Sequence, residues 1–518
     1  MPTGDRPLRP DHVSPARLAD IAADLGALPA AGSDAEQLAA TAVTGVTLSS
    51  LGVVPGDLLA ALPGANAHGA TYAAGGVEAG AVAVLTDPAG AQIIGGAPVP
   101  VLVVDDPRSR LAEVAARVYG TATHRPRTVG ITGTNGKTTC AYLVASALEA
   151  LGRSTGVIGT IETRIGERRV RSVRTTPEAP DVHALLAVMA QEGIADCVME
   201  VSSHALTLHR VDGIVFDVAL FTNLSQDHLD FHGSMEEYFA AKASLFTPAR
   251  SHRGVVCVDD EWGRRLATTA SVSVTTVATV DGVDADWRAR PTDDEGGFVL
   301  EGAGTALDLR SGLPGDFNVA NTALAAVALH VLGTPIDAIA PAILVPPVVP
   351  GRMERVTTSA DDDDLPEVVV DFAHTPDAVA SALAALRPRA RGDLVCVLGA
   401  GGDRDRGKRP GMGAAGAAGA DVLVVTDDNP RSEDPAAIRA AVLDGARSVE
   451  DGAEIVEIAD RAEAVRTAVL DLGRRRAGSV VVVLGKGHET GQIVGSDVFP
   501  FDDAEQASVA VAALDGTI

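Results

Sequence analysis

Short apolar runs that end in Gly, Asn, Asp or Thr and pass into Ala-rich amphipathic stretches recur along the chain, a rhythm that predicts strands alternating with helices. Between residues 43 and 125 the turn Pro55-Gly56-Asp57, a strand over Leu58 to Leu62, and the runs AVAVL and VLVV mark one small unit. A second block opens at Thr128 with the strand VGIT, a Gly-rich turn and an amphipathic helix from about Thr138 to Leu151, and it extends to about Pro350. Pro346, Pro347, Pro350 and Gly351 read as a linker, and the acidic run Asp361 to Asp364 as a solvated loop. Beyond it the apolar runs VVVDFAH, LVCVLGA, DVLVVTDD and VVVVLGKG alternate with helical segments, the pattern of a parallel sheet wound by right-handed crossovers. Motifs at the carboxyl ends of such strands face one crevice. The expected architecture is α/β in three domains, 1–125, 126–350 and 351–518.

Composition narrows the class. A chain of 518 residues exceeds one ordinary core and suggests roughly three. Aromatic residues make up only 3% while Gly numbers 54, which favours tight strand-to-helix turns over an aromatic-rich β-sandwich. The formal charge of −27 repels phosphate polyanions, so neither nucleic acid nor an anionic membrane surface is an expected partner, and any bound phosphate must be held locally. Cys140, Cys197, Cys257 and Cys396 form no CxxC pair and sit mostly in apolar segments, as reduced thiols of a cytoplasmic protein do. The first thirty residues lack the apolar core of a signal peptide, and the most apolar stretch, Phe317 to Pro350, is interrupted by polar residues and prolines, unlike a membrane span.

Gly133-Thr134-Asn135-Gly136-Lys137-Thr138-Thr139 follows a strand and opens a helix, where backbone N–H groups and the helix dipole cradle phosphates. Lys137 would reach the β and γ phosphates, and Thr138 would offer its hydroxyl to Mg²⁺, a hard cation that prefers oxygen. The first Gly of the usual P-loop pattern falls on Ile131. Two polar clusters follow later strands. Glu200 ends one strand and leads into Ser202-Ser203-His204, and Asn223 to Gly233 follows a strand over Val215 to Phe221 and gathers Asp227, His228, Asp230 and His232. Glu200 is the carboxylate placed for a second metal contact.

The strings TGTNGKTT, MEVSSHAL, FTNLSQDHLDFHG, YFAAK, FNVAN, GRME, DFAHTPDA, GGDRDRGKRP, TDDNPR and GKGHE together resemble, in this order, the motifs of the Mur ligases and of their MurE branch in particular, over residues from about 40 to 490. The resemblance implies a central P-loop ATPase domain, a Rossmann-like C-terminal domain, and an ADP-forming amide ligase of peptidoglycan synthesis acting as a cytoplasmic monomer. Its substrates would be ATP, UDP-N-acetylmuramoyl-L-Ala-D-Glu and an amino acid. It implies that Lys242 is carbamylated by CO₂ to N6-carboxylysine, exchanging a cation for oxygens that hold metal, with Thr138, Glu200 and His228 as further metal-site positions. Asn318 and Asn321 would contact the adenine, where an amide presents donor and acceptor together. Arg352, Asp371 and His374 resemble the hinge and loop by which the third domain closes on the nucleotide.

The same resemblance puts the UDP-sugar at Leu48, Ser50, Ala65, Asn66 and Ala67, and the muramoyl peptide at Thr175, Thr176, Ser202 and Arg210. The family's common Asp-Ser-Arg reads Ser49-Ser50-Leu51 here, and a position often polar is Leu208. Arg431 in Asp428-Asn429-Pro430-Arg431 points to meso-diaminopimelate, because a planar guanidinium can hold the distal carboxylate that lysine lacks. Arg404, Gly485 and Glu489 would complete that pocket. Folylpolyglutamate synthetase or the next Mur enzyme would share the phosphate loop, and a non-catalytic nucleotide-binding regulator is the alternative of another class. DNPR and GKGHE speak against the first two, and intact Lys137, Glu200, His228 and Lys242 against the third.

Overall fold

The computed structural model describes residues 8–30, 33–64, 66–294, 296–345, 347–356 and 365–514. Ala65, Pro346 and the acidic run 361–364 lie outside the described residues. Three larger sheets organise the chain. The first pairs the parallel strands Gly45–Thr47, Asp57–Ala60, Ala83–Thr86 and Val101–Val103, with Leu28–Pro29 antiparallel on the outer edge. Its core includes Ala184 and Ala187 of the helix Ala179–Gln191, so this layer packs directly on the next.

The second sheet has eleven strands. Its parallel centre places Arg127–Thr132 between Asp196–Glu200 and Val218–Phe221, all buried apart from the half-buried Arg127. Continuous burial explains the uninterrupted apolar runs, since each strand has helices over both faces. Lys137–Ala150 is buried on nearly every side, between this sheet and the helix Asp316–Val331. A helix enclosed in that way needs small residues such as its alanines for close approach. Antiparallel hairpins extend both ends of the sheet, 162–171 and 297–310.

The third sheet runs in the order 354–356, 367–371, 480–484, 394–398, 422–425, 454–457, the first strand antiparallel and the rest parallel. The helix Pro376–Leu386 starts where Thr375 accepts from Ala378 N–H and Pro376 occupies the first turn, both local signals in the sequence. The carboxyl ends of the second and third sheets face each other, and the cleft between them collects the loops after 127–132, 196–200, 394–398, 422–425 and 480–484.

Element bounds shift modestly from those expected. The strand expected at Leu58 to Leu62 is Asp57–Ala60, the one expected from Val215 begins at Val218, and the helix after the phosphate loop begins at Lys137. The apolar stretch from Phe317 is the helix Asp316–Val331 followed by Ile336–Ile343, and no helix among the described residues is long and apolar enough to cross a membrane.

Candidate active site

Gly133 and Gly136 have φ of 151° and 84°, values that L side chains rarely adopt, and they bend the chain from strand into helix so that the loop's backbone lines the cleft. A Cβ on Gly136 would lie 2.5 Å from Asn321 Oδ1, which fixes how closely the helix 316–331 backs the loop. Lys137 Nζ donates to the carbonyls of Gly133 (3.0 Å) and Thr134 (2.8 Å), folded over the loop it serves. Burial lowers its pKa, with Arg352 adding to the effect and Glu200 and Asp227 opposing it.

Glu200 is 1% exposed and held from several directions. Thr138 Oγ1 donates to its Oε2 at 2.9 Å, Thr160 N–H to Oε1 at 2.7 Å, and Thr160 Oγ1 to Oε2 at 3.0 Å. The hydroxyl and the carboxylate are hard oxygen donors side by side at the phosphate loop, which fits Mg²⁺ with part of its hydration retained. His228 lines the same cleft at φ 54°, its Nε2 3.5 Å from Asp227 Oδ2 and its ring edge-on to His204 at 4.9 Å. Burial pushes His228 down to about 4, so its imidazole is neutral near pH 7 and able to ligate. Among the described residues no three His, Cys, Asp or Glu side chains converge into a metal-binding group.

Lys242 is 1% exposed and stands behind the loop, outside the cleft wall. Its amine donates to Gly133 O at 2.8 Å and lies 4.5 Å from the centre of the Tyr238 ring. Burial and the neighbouring Lys137 hold its pKa well below the ordinary lysine value. Such an amine has a raised neutral fraction, the form that attacks CO₂. Asn318 and Asn321 also back the loop. Asn321 Nδ2 donates to Asn318 Oδ1 (3.0 Å), Asn318 Nδ2 to Pro314 O (2.8 Å), and Cys140 Sγ lies 3.3 Å from Asn321 Oδ1.

The third sheet supplies the facing wall. Arg352 reaches from the linker to Thr138 Oγ1 at 3.4 Å, stacks over Phe372 at 4.5 Å, and keeps a buried Nε without a hydrogen-bond partner among the described residues. Asp371 accepts from the Met353 and Ala373 N–H groups, both at 2.8 Å, and so clamps the linker's end. His374 and Lys408 lie within electrostatic reach of Asp227 across the cleft, and burial lowers both, His374 to about 4. Arg404, Asp428, Asn429, Arg431, Gly485 and Glu489 line the same cleft, about 400 Å³ in volume. Pro430 stands behind it, its carbonyl against Gly402. Arg431 sits at φ 51°, pinned by its N–H to Ile493 O (3.0 Å) and by Gly495 N–H to its own carbonyl (2.7 Å), while Nη1 donates to Gly402 O at 2.7 Å.

Thr175, Thr176, Ser202 and Arg210 form a second knot beside Glu200. Thr176 Oγ1 donates to Glu200 O (2.8 Å) and accepts from Ser202 N–H (3.1 Å), Thr160 Oγ1 and Thr175 Oγ1 are paired at 3.1 Å, and Arg210 Nη1 donates to Thr176 O (3.3 Å). Ser202 also caps the helix Ser203–Thr207. Leu48, Ser50, Asn66 and Ala67 belong to the first sheet's layer, outside the cleft, with Asn66 and Ala67 exposed and Leu51 99% exposed. Thr160 and Lys408 line the cleft and Lys486 lies directly behind it, and motif reading singled out none of the three. The last two sit inside quoted strings, whereas Thr160 lies in a loop with no local signature.

Three family models match the chain: the Mur ligase family catalytic domain over residues 42–119, the Mur ligase middle domain over 131–329, and the Mur ligase glutamate ligase domain over 351–487. The chain belongs to the Mur ligase family. Within that family it is of the MurE type. The UDP-N-acetylmuramoyl-L-alanyl-D-glutamate–2,6-diaminopimelate ligase of Streptomyces coelicolor is 50% identical over 98% of this chain and 99% of its own. The UDP-N-acetylmuramyl-tripeptide synthetase of Leifsonia xyli is 46% identical over 98% of this chain and 99% of its own. A solved UDP-N-acetylmuramoyl-L-alanyl-D-glutamate–2,6-diaminopimelate ligase matches with a TM-score of 0.66 and 30% identity over 97% of this chain and 100% of its own. MurF of Thermotoga maritima in complex with ADP shares the fold, with a TM-score of 0.61 and 18% identity over 92% of this chain and 99% of its own.

Proposed function

We propose that this chain is an ATP-dependent, ADP-forming ligase that joins meso-2,6-diaminopimelate to the D-Glu γ-carboxylate of UDP-N-acetylmuramoyl-L-Ala-D-Glu in peptidoglycan precursor synthesis. It acts as a cytoplasmic monomer that serves wall growth, cell shape and division. Its domains are 1–125 for the UDP-sugar, 126–350 for ATP and 351–518 for the amino acid, a division supported by three sheets each contained within one span. One observation carries the reading: a phosphate loop and an arginine-lined pocket face each other across a single cleft.

In the reaction the D-Glu carboxylate attacks the γ-phosphorus and ADP departs, leaving an acyl phosphate. The amine of diaminopimelate then attacks the acyl carbon, phosphate leaves, and the amine's proton is lost. Two anions must meet in the first step. Lys137, the loop's N–H groups and Arg352, with its unpartnered Nε, offset that repulsion by position and charge. Thr138, Glu200, His228 and carbamylated Lys242 would hold Mg²⁺, which would supply further positive charge beside the phosphates. Thr175, Thr176, Ser202 and Arg210 orient the peptide, and Leu48, Ser50 and residues 65–67 the uridine. Asn318 and Asn321 set the adenine side of the loop. Arg404 and Arg431 bind the carboxylates of diaminopimelate, with Asp428 to Pro430 and Gly485 shaping the pocket and Glu489 taking an ammonium. Closure of the two walls excludes the water that would hydrolyse the acyl phosphate.

The test is product formation. Incubation with ATP, Mg²⁺, the UDP-dipeptide and meso-diaminopimelate should give the UDP-tripeptide by mass spectrometry, with ADP released only when both acceptors are present. ADP formation that ignores the UDP-dipeptide would overturn the reading.

A further inference from the structure

Lys486 is 0% exposed, so its amine must find its partners within the protein. Its Nζ donates to Asn429 Oδ1 at 3.0 Å and lies 3.4 Å from Glu489 Oε2. Asn429, itself 3% exposed, ties the two together: Oδ1 also accepts from Ile493 N–H at 2.9 Å, and Nδ2 donates to Glu489 Oε2 at 2.7 Å. Glu489 is thereby held by one oxygen. Its Oε1 has no hydrogen-bond partner among the described residues and belongs to a side chain that lines the cleft.

We infer that Lys486 is a positioning residue for amino-acid selection: through Asn429 it fixes Glu489 with one oxygen tied and the other presented to the distal ammonium of the substrate. The inference rests on the function proposed above and deepens it. The attacking amine must be neutral, so a carboxylate, which stabilises an ammonium, serves the amine that does not react. Selection for a second amine then depends on a carboxylate whose orientation a buried cation sets.

The full-length enzyme should be assayed with meso-diaminopimelate and with 2-aminopimelate, which lacks the distal amine. Wild type should favour diaminopimelate in kcat/KM by at least tenfold. Lys486→Met should raise KM for diaminopimelate about tenfold, leave KM for ATP and for the UDP-dipeptide within twofold, and bring the two amino acids within threefold of each other. Glu489→Gln should do the same, and the double variant should be no worse than Glu489→Gln alone, since residues acting through one contact are not additive. Equal losses for both amino acids, or losses that multiply in the double variant, would overturn the positioning role. If Lys486→Met does not fold, as read by melting and by ADP affinity, Lys486→Gln carries the same comparison, because it keeps a donor for Asn429 and removes the charge. A wild type that makes no tripeptide from diaminopimelate would sink the underlying function as well, and is read separately.

Discussion

Thr160 shows how much of the site rests on single side chains. Its N–H and hydroxyl both grip Glu200, and the hydroxyl continues to Thr175, so one residue links the carboxylate we propose for the metal to the knot we propose for the peptide. Thr160→Val keeps the shape and the backbone contact but removes the hydroxyl. We expect kcat/KM to fall about tenfold, the loss of about 1.4 kcal/mol that one hydrogen bond to a charged group represents, with the melting temperature unchanged. Gly485 is constrained differently. It sits at φ 118° and an added Cβ would lie 2.7 Å from Asp428 Oδ2. Gly485→Ala should cost about 1–3 kcal/mol of stability in strain and weaken amino-acid binding, measured by chemical denaturation and by KM for diaminopimelate. Lys242, enclosed and held in part as the neutral amine, should show a mass increase of one CO₂ by native mass spectrometry in bicarbonate, which Lys242→Arg should not.

At the scale of elements, the helix Ala179–Gln191 joins the first layer to the second, and His183 on it is fully buried. Its ring lies 2.6 Å from Thr121 Oγ1 and 3.1 Å from Asp212 O. Burial pushes the ring down to about 4, so the folded protein holds it neutral while the unfolded chain protonates it near the ordinary 6.5. The folded state therefore binds fewer protons between those values. The term is fully present above about pH 6.5 and is lost as pH falls to about 4, on the order of 3 kcal/mol. His183→Gln should flatten the fall of melting temperature across that window, and an unchanged slope would contradict the assignment. The phosphate loop and the four apolar strands of the third region were legible in the sequence because glycine placement and burial on both faces leave local traces. The hairpins 297–310 and 491–500 and the edge strand 454–457 were not, because their pairing depends on neighbours distant in the chain. In the site, motif strings pointed to Glu200 and Arg431, but no local pattern reveals that Lys486 is buried or that Asn429 bridges it to Glu489.

For the whole molecule, function depends on two sheets presenting their carboxyl ends to one another, with Arg352 crossing from the linker to Thr138. The most direct measurement is the kcat/KM for ADP release with the UDP-dipeptide and either meso-diaminopimelate or L-lysine, in wild type and in Arg431→Lys. The planar fork of Arg431 can pair with the distal carboxylate, and lysine leaves that fork unsatisfied in a half-buried pocket. Wild type should prefer diaminopimelate by at least about a hundredfold, roughly 3 kcal/mol, and Arg431→Lys should lose most of that preference while keeping its KM for ATP. Equal turnover of the two amino acids by wild type would contradict the account.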